Sequence, residues 1–235
     1  MCTTCLLSRR GLLAGGASLL ASMAVAGPAF AQSAAPAPQN AISGDAALAR
    51  LMEGNARYVA NTPTEKDFSA GRAARTTGQH PIVAVLSCAD SRVAPELAFD
   101  QGPGDVFVVR VAGNFLNVDG LASLEFAMAV LNVPLIMVLG HTSCGAIAST
   151  IKVVTDGLQL PGHLPDLVSN LKPAVDAALK SGDKDVLAAA TVANVRINMQ
   201  KISEAQPLLA PAAKDKKVMV VGGVYDLATG KVGLV

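Results

Sequence analysis

The chain reads as an α/β protein with a mostly parallel central sheet, about four parallel strands plus an edge strand, flanked by helices. Three observations predict this. Short apolar, partly β-branched runs bounded by turn residues recur at 82–86, 106–111, 135–139 and 218–221, the pattern of strands buried on both faces. Stretches with helical spacing of apolar residues lie between them, and strand–helix alternation gives a parallel sheet covered on both sides. The polar residues best suited to chemistry, Cys88, Asp90, Arg92, His141 and Cys144, follow directly after the first and third runs. In open α/β sheets that is where ligands bind.

Taken in order, 235 residues suit one domain with a sizeable core and a leader before it. Residues 1–31 read as a signal peptide: Ser8-Arg9-Arg10-Gly11-Leu12-Leu13 resembles a twin-arginine signal, an apolar stretch follows, and Ala29-Phe30-Ala31 fits a cleavage site before Gln32. The competing reading is an N-terminal membrane anchor, against which stand Gly15, Gly16, Pro28 and the small-residue site. Export by that route predicts a periplasmic protein with no stable membrane anchor after processing. Cys2 and Cys5 would leave with the leader. Residues 32–43, rich in Ala and Pro, read as a disordered linker, and 44–235 as the folded domain. A net charge of +1 recommends neither nucleic acid nor an anionic membrane as partner. With aromatics at 3% and no Trp, the core must be aliphatic.

Within the domain, 45–60 has a helical pattern at Leu48, Leu51, Met52 and Val59. The strand at 82–86 follows Gly78-Gln79-His80-Pro81. Helices are predicted over 120–131, from near Cys144 to about Val154, over 166–180 with Pro173 early, and over 184–205. Residues 224–227, the Thr229-Gly230 turn and 232–235 suggest the final edge strand. His80 and His163 read as turn and loop residues.

Two thiols and an imidazole at strand ends make a Cys2His zinc site of Cys88, His141 and Cys144, with one position left open as in catalytic zinc. Sharing one metal requires the strands before Cys88 and His141 to be adjacent although another lies between them in sequence, so strand order must reverse and open a crevice. Cys144 stands near a helix start, where backbone N–H groups favour a thiolate. Asp90, two residues after Cys88, points to the same side of an extended backbone. It is then either a fourth ligand or an acceptor for zinc-bound water, with Arg92 its bidentate partner. The bland alternatives are a Cys88–Cys144 disulfide in an exported protein and an Asp90–Arg92 pair that only shapes a turn.

Cys88-x-Asp90-x-Arg92 and His141-x-x-Cys144 resemble the metal motifs of the β-class carbonic anhydrases. So do Gly104–Arg110, Ala112-Gly113-Asn114, Leu124-Glu125-Phe126-Ala127 and Tyr225-Asp226-Leu227-Ala228-Thr229-Gly230, covering the chain from about Gly44 onward. The resemblance implies one Zn2+ per chain and reversible hydration of CO2 to bicarbonate by zinc-bound hydroxide. It implies a closed state with Asp90 on zinc and an open one with Asp90 on Arg92. It assigns Gln79, Phe107, Phe126 and Gly145 to the substrate, with Phe126 where many members carry tyrosine. It also implies a homodimer or homotetramer, with the first helix an arm laid across a partner. Members controlled by bicarbonate carry tryptophan where Val85 stands, so that control is expected to be missing. Relatives on this fold hydrolyse CS2 or carbonyl sulfide, which is the second functional reading; a non-catalytic exported protein is the third.

Overall fold

Strands β1 (Val83–Ser87), β2 (Val106–Arg110), β3 (Leu135–His141) and β4 (Met219–Tyr225) run parallel, and β5 (Val232–Leu234) closes antiparallel to β4. Their order across the sheet is β2-β1-β3-β4-β5. The computed structural model describes residues 38–235. The leader read at 1–31, with Cys2 and Cys5, lies outside the described residues, as does 32–37.

β1 and β3 are buried along their whole length, which is why they read as unbroken apolar runs rather than alternating ones. Their side chains alternate between two cores. Val83, Val85, Leu135, Met137 and Leu139 pack with Ala47, Leu51 and Phe99 on one face. Ala84, Leu86, Ile136 and Val138 pack with Leu124, Val195, Ile202 and Leu209 on the other. The first face is covered by helix α1 (Gly44–Val59), the second by α4 (Val118–Ala129), α7 (Val186–Ser203) and the short α8 (Leu209–Lys214). A third cluster lies where α5 (Gly145–Asp156), α6 (Leu164–Ser181) and α7 meet; it includes Cys88, Cys144, Ile147, Leu171 and Val175.

Local chemistry sets the helix starts. Ser43 Oγ accepts from Ala46 N–H at 3.2 Å and Asp45 sits in the first turn of α1; Asn117 accepts from Gly120 N–H at 2.8 Å at the start of α4. The inner face of α1 is spent on its own sheet, so anything it offers a partner must come from its outer face. Behind α1 the buried carboxylate of Asp100 takes Arg57, Lys66 and the Thr64 N–H. Burial opposes its ionisation, but these donors outweigh it and hold the carboxyl well below the usual range.

The observed elements depart from the sequence reading in three places. The linker read through residue 43 ends earlier: Gln39 Nε2 donates to His80 O at 2.8 Å and buried Asn40 Nδ2 to Leu131 O at 2.6 Å. Two side-chain amides dock this stretch, which its composition hides. The fourth strand runs on to Tyr225 through Gly222-Gly223, a pair that resembles a turn. The reason for glycine is contact: a Cβ on Gly222 would stand 2.3 Å from Met199 Sδ and 2.5 Å from Val195 Cγ1 of α7. Finally, α2 (Arg72–Arg75), α3 (Pro95–Ala98) and α8 were not anticipated.

Candidate metal centre

β1 pairs directly with β3, Ala84 opposite Ile136 and Ser87 opposite Leu139, while β2 pairs with the other edge of β1. The strand order therefore reverses at β1, and Cys88 and His141 emerge side by side at the carboxyl ends. Cys144 caps the start of α5. The two Sγ atoms and a His141 ring nitrogen lie within 4.8 Å of one another, and all three residues are buried. Both cysteines are free thiols, not a disulfide.

The donor set fits a zinc ion. Donors around a tetrahedral zinc stand about 3.3–3.8 Å apart, within the span observed. His141 Nδ1–H donates to Thr142 O at 2.9 Å, which leaves Nε2 buried with no hydrogen-bond partner. A buried, unpartnered nitrogen lone pair is costly unless something takes it. Cys88 Sγ accepts from Gly113 N–H at 3.2 Å and Asp90 N–H at 3.4 Å. Without a metal ion, the neighbouring Cys144 thiol, His141 and these N–H groups push the Cys88 thiol down to about 4 against the effect of burial. The Cys144 thiol is pushed up, first by its hydrogen bond to Cys88 and then by burial, although Ala146 and Ile147 N–H groups of α5 point at it. The N–H groups at the helix start do lower the Cys144 thiol, but the Cys88 sulfur beside it and burial outweigh them. His141 is pushed up as well: burial opposes this, and the negative Cys88 sulfur beside the ring outweighs it. A divalent metal binds the deprotonated sulfurs and the neutral imidazole, so its binding would release any protons these groups hold.

Asp90 and Arg92 are paired. Arg92 donates through Nε to Oδ1 at 2.9 Å and through Nη2 to Oδ2 at 2.7 Å, and its N–H adds a third bond to Oδ1 at 2.9 Å. Arg92 above all holds the Asp90 carboxyl well below its ordinary range. Asp90 Oδ2 is 3.8 Å from His141 Nε2, at the border of the donor group. A Cβ on Gly145 would meet nothing within 4 Å, so there is open space beside the residue that follows Cys144.

Three further expected residues are not brought to this group within one chain. Gln79 is exposed and precedes β1, at the end opposite Cys88; a five-residue strand spans roughly 17 Å. Phe107 sits opposite Ala84, on the amino-terminal side of Cys88, and pairs with Phe126 of α4 at a ring-centroid distance of 6.5 Å. Phe126 is 46% exposed. Conversely, two residues of the centre were missed. Arg110 donates to the carbonyls of Cys88 (2.9 Å), Asp90 (2.7 Å) and Val93 (2.9 Å), stapling the loop that carries Cys88 and Asp90. Thr142 orients His141. Arg110 ended a quoted motif, but nothing in a lone arginine signals three backbone acceptors.

A cavity of about 600 Å3 is lined by Tyr58, Lys66, Phe68, Leu97 and Tyr225 and contains none of the three donors.

Comparison with known proteins agrees with this geometry. Residues 83–232 match the family model described as carbonic anhydrase. Carbonic anhydrase 2 of Mycobacterium tuberculosis is 46% identical over 138 residues, covering 58% of this chain and 67% of that protein. The carbonic anhydrase of Mycolicibacterium smegmatis is 39% identical over 194 residues, covering 80% and 92%. Among solved structures, the Coccomyxa β-carbonic anhydrase in complex with acetazolamide superposes with a TM-score of 0.63 at 26% identity, covering 80% of this chain and 86% of that one.

Proposed function

This chain belongs to the β-class carbonic anhydrase family, and from that premise we infer how its own residues carry out the reversible hydration of CO2. One observation carries the reading: two buried sulfurs and the unpartnered Nε2 of His141 converge beside an Asp90 already locked to Arg92. Cys88, His141 and Cys144 would hold one zinc ion. Zinc held there supplies the Lewis acidity that lowers the pKa of a water to near 7. Asp90 then works as an oriented acceptor. Its carboxyl is too acidic to store a proton at neutral pH, but both its oxygens are fixed by Arg92, so it can hold a water's O–H in one direction. Arg110 keeps Asp90 and Cys88 in register by gripping their carbonyls. The open side at Gly145 admits CO2, and the proton leaves past the partly exposed Asp90 to solvent.

Gln79, Phe107 and Phe126 act in this reading across a subunit boundary. Among the described residues β2 is an edge strand with one side unpaired, and α4 beside it exposes Val118, Phe126 and Val130; edges and apolar patches of this kind are normally covered. The test measures mass, metal and thiols on one preparation. A dimer or tetramer is expected, with one zinc per chain and two thiols that titrate only after denaturation. A zinc-free protein with no titratable thiol would instead be the disulfide-bonded scaffold, and the enzymatic reading would fall.

The Arg9-Arg10 signal and the Ala29-Phe30-Ala31 site support export in the folded state to the periplasm, the mature chain beginning near Gln32. Arg9→Lys with Arg10→Lys is expected to keep the precursor inside the cell in a fractionation experiment. Normal export of that double variant would refute the twin-arginine route.

A further inference from the structure

The run Tyr225-Asp226-Leu227-Ala228-Thr229-Gly230 contributes no metal ligand, yet it reaches the metal centre through one residue. Thr142 N–H donates to Tyr225 O at 2.9 Å. Leu227 N–H donates to Thr142 Oγ1 at 3.0 Å. The carbonyl of the same Thr142 takes the Nδ1–H of His141 at 2.9 Å. Immediately beyond, Ser143 has φ +56°, so the chain bends sharply before Cys144 and the direction of the Thr142 carbonyl depends on how Thr142 is held.

The turn that grips Thr142 is itself rigid. Asp226 Oδ1 accepts from Ala228 N–H at 2.7 Å and Thr229 N–H at 3.0 Å. Asp226 N–H donates to Lys231 O at 2.9 Å, and Gly230 N–H returns to Asp226 O at 2.8 Å. Asn55 of α1 anchors it from outside, donating to Gly230 O at 2.8 Å and accepting from Val232 N–H at 2.9 Å. Bound only through its own N–H, Thr142 would be free to swing its carbonyl about that point. The hydroxyl gives a second tie and removes the swing.

We propose that Thr142 is a positioning residue: its hydroxyl, gripped by the 225–230 turn, fixes the carbonyl that orients His141 toward the metal. This rests on the metal reading of the site. Groups that orient a metal-bound imidazole typically affect metal affinity or activity by about 10- to 100-fold.

The experiment compares zinc-loaded wild type with Thr142→Val, which keeps the shape and removes the acceptor, and Thr142→Ser, which restores it. A third protein carries an ester in place of the Leu227 amide and so lacks only the N–H. Zinc affinity is read by chelator competition, the absorption of the cobalt-substituted protein reports ligand geometry, and hydration kinetics separate kcat from KM. Thr142→Val and the ester should both bind zinc about 10- to 100-fold more weakly. Both should show altered cobalt bands and a lower kcat at nearly unchanged KM, while Thr142→Ser stays close to wild type. A hydroxyl that only stabilised the fold would lower the melting temperature and leave the cobalt bands of the folded protein alone. Wild-type affinity and unchanged bands in Thr142→Val and the ester would overturn the inference. A wild type that takes up no zinc would overturn the metal reading itself, and this inference with it.

Discussion

His141→Ala is expected to lose zinc and CO2 hydration together, the rate falling to that of the uncatalysed reaction. The argument is one of ligand count. Removing the imidazole leaves two sulfurs for an ion that needs at least three protein donors held in place. Those sulfurs lie within 4.8 Å of each other, and two alone cannot complete the ion's coordination. The fold should survive, because His141 is the last residue of β3 and belongs to none of the three apolar clusters. Metal analysis with stopped-flow hydration checks the result, and circular dichroism checks the fold. His163→Ala is the control: the residue is exposed at the start of α6 and should change neither quantity. A folded His141→Ala protein with stoichiometric zinc and full activity would remove the proposed centre.

Gly54→Ala is expected to destabilise the domain by about 3 kcal/mol or more, although helix propensity alone favours Ala over Gly by ~1 kcal/mol. Contact reverses the sign. A Cβ at position 54 would lie 1.9 Å from Phe99 O and 2.8 Å from Phe99 C. These are backbone atoms of a fully buried residue, so no side chain can swing aside. α1 must lift from the segment after α3. Lifting strains the bonds of the adjacent Asn55, which donates to Ala98 O and Gly230 O, both at 2.8 Å, and accepts from Val232 N–H. Overpacking costs of roughly 1–3 kcal/mol then add to lost hydrogen bonds of about 1 kcal/mol each. Urea unfolding of the metal-free protein measures the loss. A midpoint equal to or above wild type would mean that α1 does not dock this way.

Much of the fold was legible because burial writes itself into composition. β1 and β3 are covered on both faces and so appear as runs of Ile, Val, Leu and Met. Their adjacency could be inferred because Cys88 and His141 cannot share an ion otherwise. Elements of four to six residues, such as α2, α3 and α8, are too short for periodicity to register. Gly222 disguised a strand interior because its smallness serves α7, not a turn. The centre was legible in its ligands for a related reason: thiols and imidazoles announce metal chemistry by type. Arg110 and Thr142 work through backbone carbonyls, which every residue has, so no residue pattern points to them. Gln79, Phe107 and Phe126 were assigned to the substrate by family position alone, which says nothing about which copy of the chain supplies them.

The place of β3 between β1 and β4 has a consequence for the order in which the molecule comes together. The strand that delivers His141 is flanked on one side by a partner reached only across β2, α3 and α4. On the other side it is flanked by one that follows four more helices, α5 to α8. Loops of that length close late in folding, because their entropy must be met before the distant contacts form. Cys88 meets His141 and Cys144 only once β1 and β3 pair across β2, α3 and α4, so the three donors are not a local unit of the kind a zinc finger folds around. In the folded domain the three donors expose 4%, 0% and 1% of their surface. The same burial shields two reactive sulfurs from oxidant, and a metal held by them would exchange slowly.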